Sequence, residues 1–131
     1  IKAHCNNGVI QIENVEGNVD AIAHSGLINI DKTKNAVLVV QGSGDIKVAY
    51  VDGILTTTVQ GSGDIKVKDG KLTNLIATVQ GSGDIEFAGE TIDANLSVQG
   101  SGDIKVQCVH NKPIKNIMGS GDIKIKVKKW K

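Results

Sequence analysis

The chain has 131 residues, with 15 lysines, no arginine and 14 acids, for a net charge of +1. That balance implies no acidic partner. With Tyr50, Phe87 and Trp130 as the only aromatics, there is no base-reading apparatus for nucleic acid either. No apolar run approaches the roughly 20 residues that cross a bilayer as a helix, so no transmembrane segment is expected.

By size the chain is expected to form one domain, residues 1–131, with a real core. It opens at Ile1 with no Met, charged leader or apolar h-region. It reads as a mature or trimmed segment whose targeting information has been cut away.

Residues 1–39 hold two degenerate coils, GVIQI from Gly8 and GLINI from Gly26, joined by the looser ENVEGNVDAIA. The polar run 31–35 (DKTKN) predicts a turn before AVLVV. Residues 40–127 carry a regular phrase. VQGSGDIKV begins at Val40 and returns at Val59 and Val98; at Val79 it reads VQGSGDIEF and at Ile117 IMGSGDIKI. Each copy predicts strand, tight turn, strand, followed by a corner at Asp52-Gly53, Asp69-Gly70 or Gly89-Glu90. Gln107 to Asn116, with the only proline, Pro113, is the least regular stretch. Helical spacing of apolar residues is sustained nowhere, so no helices are expected.

Aligning on the second turn glycine gives Gly8, Gly26, Gly44, Gly63, Gly83, Gly102 and Gly121, at steps of 18 to 20. Two residues later comes an unbroken isoleucine column: Ile10, Ile28, Ile46, Ile65, Ile85, Ile104 and Ile123. Two further on stand Ile12, Ile30, Val48, Val67, Phe87, Val106 and Ile125. The first turn position reads Asn6, His24, Gly42, Gly61, Gly81, Gly100 and Gly119, all residues that tolerate a left-handed backbone. The ten regular turn glycines (Gly42, Gly44, Gly61, Gly63, Gly81, Gly83, Gly100, Gly102, Gly119 and Gly121) are therefore expected to be structural, serving positive φ.

A fixed period of this length means a solenoid in which each repeat stacks on its neighbours. Coils of 18 to 20 residues are too short for βαβ crossovers, so parallel strands must wind directly onto themselves. The expected fold is an all-β parallel β-helix of about seven coils, with the isoleucines as one interior ladder. The absence of a hexapeptide pattern favours right-handed winding.

The recurrent GSGDI turn with a following apolar strand resembles the GIN-type head domain of autotransporter adhesins. The resemblance covers at least residues 40–127 and, by register, residues 4–30. It implies an exported, non-catalytic bacterial cell-envelope protein, in the periplasm, at the outer-membrane surface or extracellular, with an adhesive role. A cell-surface glycan or protein would then be the ligand. It supplies no functional residues, because the matching motif is architectural.

Outward columns are where function could sit. Asp45, Asp64, Asp84, Asp103 and Asp122 would repel one another at coil spacing. They are expected to accept backbone N–H groups at their own turns and to pair with Lys47, Lys66, Lys105 and Lys124. A calcium ladder is the weaker reading, because calcium-binding nonapeptides read G-G-x-G-x-D whereas here Asp directly follows the second Gly. Glu86 replaces Lys in its column and lies on one face with Asp84, about 7 Å away. That pair carries the alternative function, a carbohydrate-active β-helix enzyme; against it, Glu86 between Lys66 and Lys105 relieves a like-charge run. No cofactor and no metal ligands are assigned.

The Gln column (Gln41, Gln60, Gln80, Gln99) and the Ser column (Ser43, Ser62, Ser82, Ser101, Ser120) are expected to form hydrogen-bonded ladders. His4, His24 and His110 share no neighbourhood with a particular serine, and Cys5 and Cys108 lie too many coils apart to bond. The C-terminal lysines, with Trp130 folding over the last coil, are expected to protect that end. At the other end Val9 and Leu27 stand where later coils carry Asp, and Gln11 and Asn29 where they carry Lys. This discharged N-terminal coil is the expected surface for self-association.

Overall fold

Val and Ile alternating with polar residues at period two can bury one side only as strands. The computed structural model describes residues 2–128, and among them there is no helix. Twelve strands follow in order: β1 (Lys2–Cys5), β2 (Val9–Asn14), β3 (Asn18–Ala23), β4 (Leu27–Thr33), β5 (Asn35–Val40), β6 (Asp45–Val59), β7 (Asp64–Val67), β8 (Gly70–Val79), β9 (Ile85–Val98), β10 (Ile104–Val109), β11 (Ile114–Ile117) and β12 (Ile123–Lys128). All belong to one sheet and every pairing is parallel, each strand lying against its counterpart in the next coil. This is the expected β-solenoid of about seven turns.

The isoleucine column is one ladder. Ile10 pairs with Ile28, then Ile46, Ile65, Ile85, Ile104 and Ile123 in unbroken register. The five central members are buried and the two end members half-buried. The Ile12-to-Ile125 column stacks beside it, with Phe87 between Val67 and Val106. A second interior wall closes the coil: Ala21, Leu38, Thr57, Ala77 and Leu96 form one ladder, and Ala23, Val40, Val59, Val79 and Val98 another. Burying each large apolar side chain contributes roughly 1.5–3 kcal/mol. Thr57 enters the core with its hydroxyl 3.3 Å from the Ile76 carbonyl. Among the described residues no buried side-chain nitrogen or oxygen lacks a partner.

Two of the three expected corners bend a strand rather than ending it, whereas at Asp69-Gly70 β7 has ended at Val67 and β8 opens at Gly70. Asp52-Gly53 lies inside the 15-residue β6 and Gly89-Glu90 inside the 14-residue β9. The ladder absorbs the first bend by a register slip between Gly53 and Ile54. The run 31–35 is likewise mostly strand, contrary to the turn its polarity suggests. Thr33 is buried in β4, and its hydroxyl lies 3.1 Å from the carbonyls of Gly17 and Asn35, which removes the cost of turning a polar group inward.

The turn glycines answer to torsion at some positions and to space at others. In the first column Gly100 and Gly119 take φ of +149° and +147°, which L side chains rarely adopt. Gly61 and Gly81, expected to serve positive φ, do not take it and are held to glycine by the carbonyl of the coil below. Asn6 and His24 do not share that backbone, since no described residue other than glycine has positive φ. The second column (Gly44, Gly63, Gly83, Gly102, Gly121) has no positive φ either. Its constraint is space: a Cβ on Gly63 would drive into the Gly44 carbonyl oxygen and the Val40 side chain. Coil-to-coil stacking, not torsion, demands glycine there.

Candidate functional site

The wall carrying GSGDI presents the aspartate column, and its hydrogen bonds run between coils. Asp45 Oδ1 accepts the backbone N–H of Asp64 at 3.1 Å, and Asp64 Oδ1 that of Asp84 at 3.1 Å. Asp84 Oδ1 accepts from Asp103 at 3.0 Å, and Asp103 Oδ1 from Asp122 at 3.0 Å. The acceptors therefore serve the next coil, not their own turn. Where the lower coil has no carboxylate, a glycine carbonyl does the same work: Leu27 N–H donates to Gly8 O at 2.9 Å and Asp45 N–H to Gly26 O at 3.0 Å. Val9 and Leu27 thus occupy positions where the rung needs no aspartate.

Among the described residues no lysine pairs with these carboxylates. Among the described residues the one ion pair within 4.0 Å joins His110 to Glu90. Lys47, Lys66, Glu86, Lys105 and Lys124 do stack in one exposed column, Glu86 lying between Lys66 and Lys105. The serine rungs are made by backbone: Ser62 N–H donates to Gly42 O and Ser82 N–H to Gly61 O, both at 3.0 Å. The serine hydroxyls of the repeat are exposed to solvent. Of the glutamines, Gln60 and Gln80 come together, at 3.4 Å.

Asp84, just before β9, and Glu86, at its start, line a cleft with Asp64, Lys66, Asp103 and Lys105. Asp84 has one carboxylate oxygen committed to the Asp103 amide. At the first coil Val9 is 67% exposed, whereas Leu27 is half-buried between Val9 and Asp45. Lys129, Trp130 and Lys131, expected to guard the other end, lie outside the described residues. Ile114, Ile117 and Met118 of the last coil are exposed.

Three features escaped the sequence. Asn35 Nδ2 donates to Asn18 Oδ1 at 2.8 Å while Asn35 Oδ1 accepts the Ile54 N–H at 2.9 Å, repeating the aspartate device at another corner. An uncharged outward ladder, Val37, Thr56, Ile76, Asn95 and Ile114, runs up the wall of β5, β8 and β11. Glu90, Cys108 and His110 converge, their ligand-type atoms all within 4.8 Å of one another. Cys5 and Cys108 are both buried free thiols.

A family model described as "Putative auto-transporter adhesin, head GIN domain" matches residues 6–130. The chain belongs to this family. The match spans the two degenerate coils as well as the GSGDI coils, in keeping with the single register that runs through both. No curated protein and no solved structure shows significant similarity to this GIN domain. No helix among its described residues is long and apolar enough to cross a membrane.

Proposed function

We propose that this GIN domain is a non-catalytic binding module of an exported bacterial surface protein, engaging a cell-surface glycan or protein through its ladder faces. The family's description supports the adhesin-like part of this reading. One observation carries the rest: the carboxylates of the repeat are used as rung acceptors between coils. What remains outward on the GSGDI wall is a regular array of side chains. The lysine column with Glu86 at its centre repeats at roughly the 4.8 Å strand spacing, and the uncharged Val37-to-Ile114 ladder lies on another wall. Such repetition suits a ligand with repeating groups of its own, because many weak contacts add through effective concentration.

The test is binding of the purified domain to glycan arrays and to whole cells, with a Lys66→Glu, Lys105→Glu variant. Binding that the variant loses supports the lysine column as the contact face. Turnover of a polysaccharide, abolished in Glu86→Gln, would instead favour the enzymatic reading of Asp84 and Glu86. Self-association through the first coil belongs to the same proposal, supported by the exposure of Val9. Light scattering of a Val9→Asp, Leu27→Asp double variant addresses it: wild-type oligomers that the variant dissociates support it, and a monomer in both removes it.

A further inference from the structure

We propose that Glu90, Cys108 and His110 form a binding site for a thiophilic divalent cation of the zinc class, with three protein ligands and a fourth position open to solvent. The site stands apart from the aspartate wall and is independent of the adhesive reading.

Backbone register brings these residues together. β10 stacks on β9 at an offset of 19 residues through Val106↔Phe87, then slips to 18, so that Cys108 faces Glu90. Without the slip Cys108 would face Gly89, and Glu90 would stand against Val109. A one-residue change of register inverts which side chains share a face, so the slip creates the cluster. His110 follows β10, and its backbone stays fastened to the coil beneath: its N–H donates to Thr91 O at 3.0 Å, and the Asn111 N–H to Ile92 O at 2.9 Å. Asn111 Nδ2 adds a bond to Asp93 Oδ1 at 2.9 Å. All three ligand positions are thus held by ladder bonds, leaving side-chain rotation as the freedom that remains.

The distances suit a small tetrahedral ion. Donors on zinc at their usual bond lengths stand about 3.3–3.7 Å from one another. His110 Nε2 and Glu90 Oε2 are already 3.3 Å apart, and the Cys108 sulfur completes a group within 4.8 Å. Closure needs little more than a rotation of exposed side chains, since those of His110 and Glu90 are 37% and 42% exposed. The thiol comes from a buried residue. Its protected position shields the soft ligand while the nitrogen and oxygen donors face water. A sulfur, nitrogen and oxygen set selects zinc and its neighbours over calcium or magnesium, which take oxygen ligands. A thiolate and a carboxylate with neutral imidazole would offset the charge of a divalent ion. The nearest register cation, Lys71 opposite Glu90 in β8, makes no ion pair with it within 4.0 Å.

The experiment is titration of the reduced protein with Co²⁺ as a spectroscopic probe, followed by competition with Zn²⁺. One equivalent should bind with a thiolate-to-cobalt charge-transfer band that Zn²⁺ bleaches. Cys108→Ser should abolish the band and Cys5→Ser should retain it. Glu90→Gln and His110→Gln, whose side chains lie at the surface, leave folding intact and should each weaken binding roughly tenfold or more, at least the loss seen for outer-shell partners. A wild type without the band, a Cys108→Ser protein that keeps it, or affinity unchanged in either surface variant would overturn the site.

Discussion

Asp84 Oδ1 accepts the backbone N–H of Asp103 at 3.0 Å, so a side chain of one coil completes the main-chain ladder of the next. The aspartate of GSGDI is a rung. Repetition of the residue follows from repetition of the stacking problem, because each turn leaves an amide that the glycine carbonyl below no longer takes.

Asp84→Ala should therefore destabilise the domain by about 1–3 kcal/mol, the cost of an amide left without its partner. Asp84→Asn keeps an oxygen at the same place and should cost less. It also removes one charge from a like-charged column, which offsets part of any loss. Urea denaturation of the two variants checks this. Equal destabilisation by Ala and Asn would mean that the oxygen is not the reason for the residue.

Gly63→Ala should cost about 1–3 kcal/mol or more, as overpacking does, because its Cβ would push into the Gly44 carbonyl. Gly17→Ala is the control: nothing lies within 4 Å of its Cβ, and its φ is not positive. It should stay within about 0.5 kcal/mol of wild type. Gly61→Asn, which Asn6 in the same column suggests is mild, should be damaging, since its Cβ would lie 2.5 Å from the Gly42 carbonyl oxygen. Thermal melts of the three proteins order them directly.

Phe87→Ala should be among the most damaging single changes, at about 3–5 kcal/mol. The ring is 1% exposed between Val67 and Val106, and a Cβ on either Gly70 or Gly89 would crowd it. Phe87→Val matches the β-branched residues above and below and should lose less. If both variants melt alike, the void left by the ring is not what determines stability there.

How much of this the sequence carried depended on whether a signal was local. The isoleucine ladder was legible because period-two alternation and the turn spacing fix strand faces and register together. All seven members stack as read. The glycines were legible as structural, but their reason was not: a tight turn and a crowded stack both call for glycine, and only the stacked coil distinguishes them. The aspartates looked like turn residues because their true partner is an amide 19 or 20 positions away, reached only once the coils are wound. Polar residues 31–35 misled for a related reason, since Thr33 satisfies its hydroxyl within the coil. Glu90, Cys108 and His110 were hidden by the slip after Val106, which breaks the period on which the column alignment rests.

The most direct measurement is amide hydrogen exchange, resolved by residue, on wild type and Asp64→Ala. In the wild type we expect the amides of Asp64, Asp84, Asp103 and Asp122 to be protected like those of the isoleucine strands, despite their place at an exposed turn. Asp64→Ala should then lose protection selectively at Asp84, while Asp103 and Asp122 keep theirs. Rapid exchange at all four aspartates in the wild type, or protection at Asp84 that survives loss of the Asp64 carboxylate, would contradict the role given to the repeat.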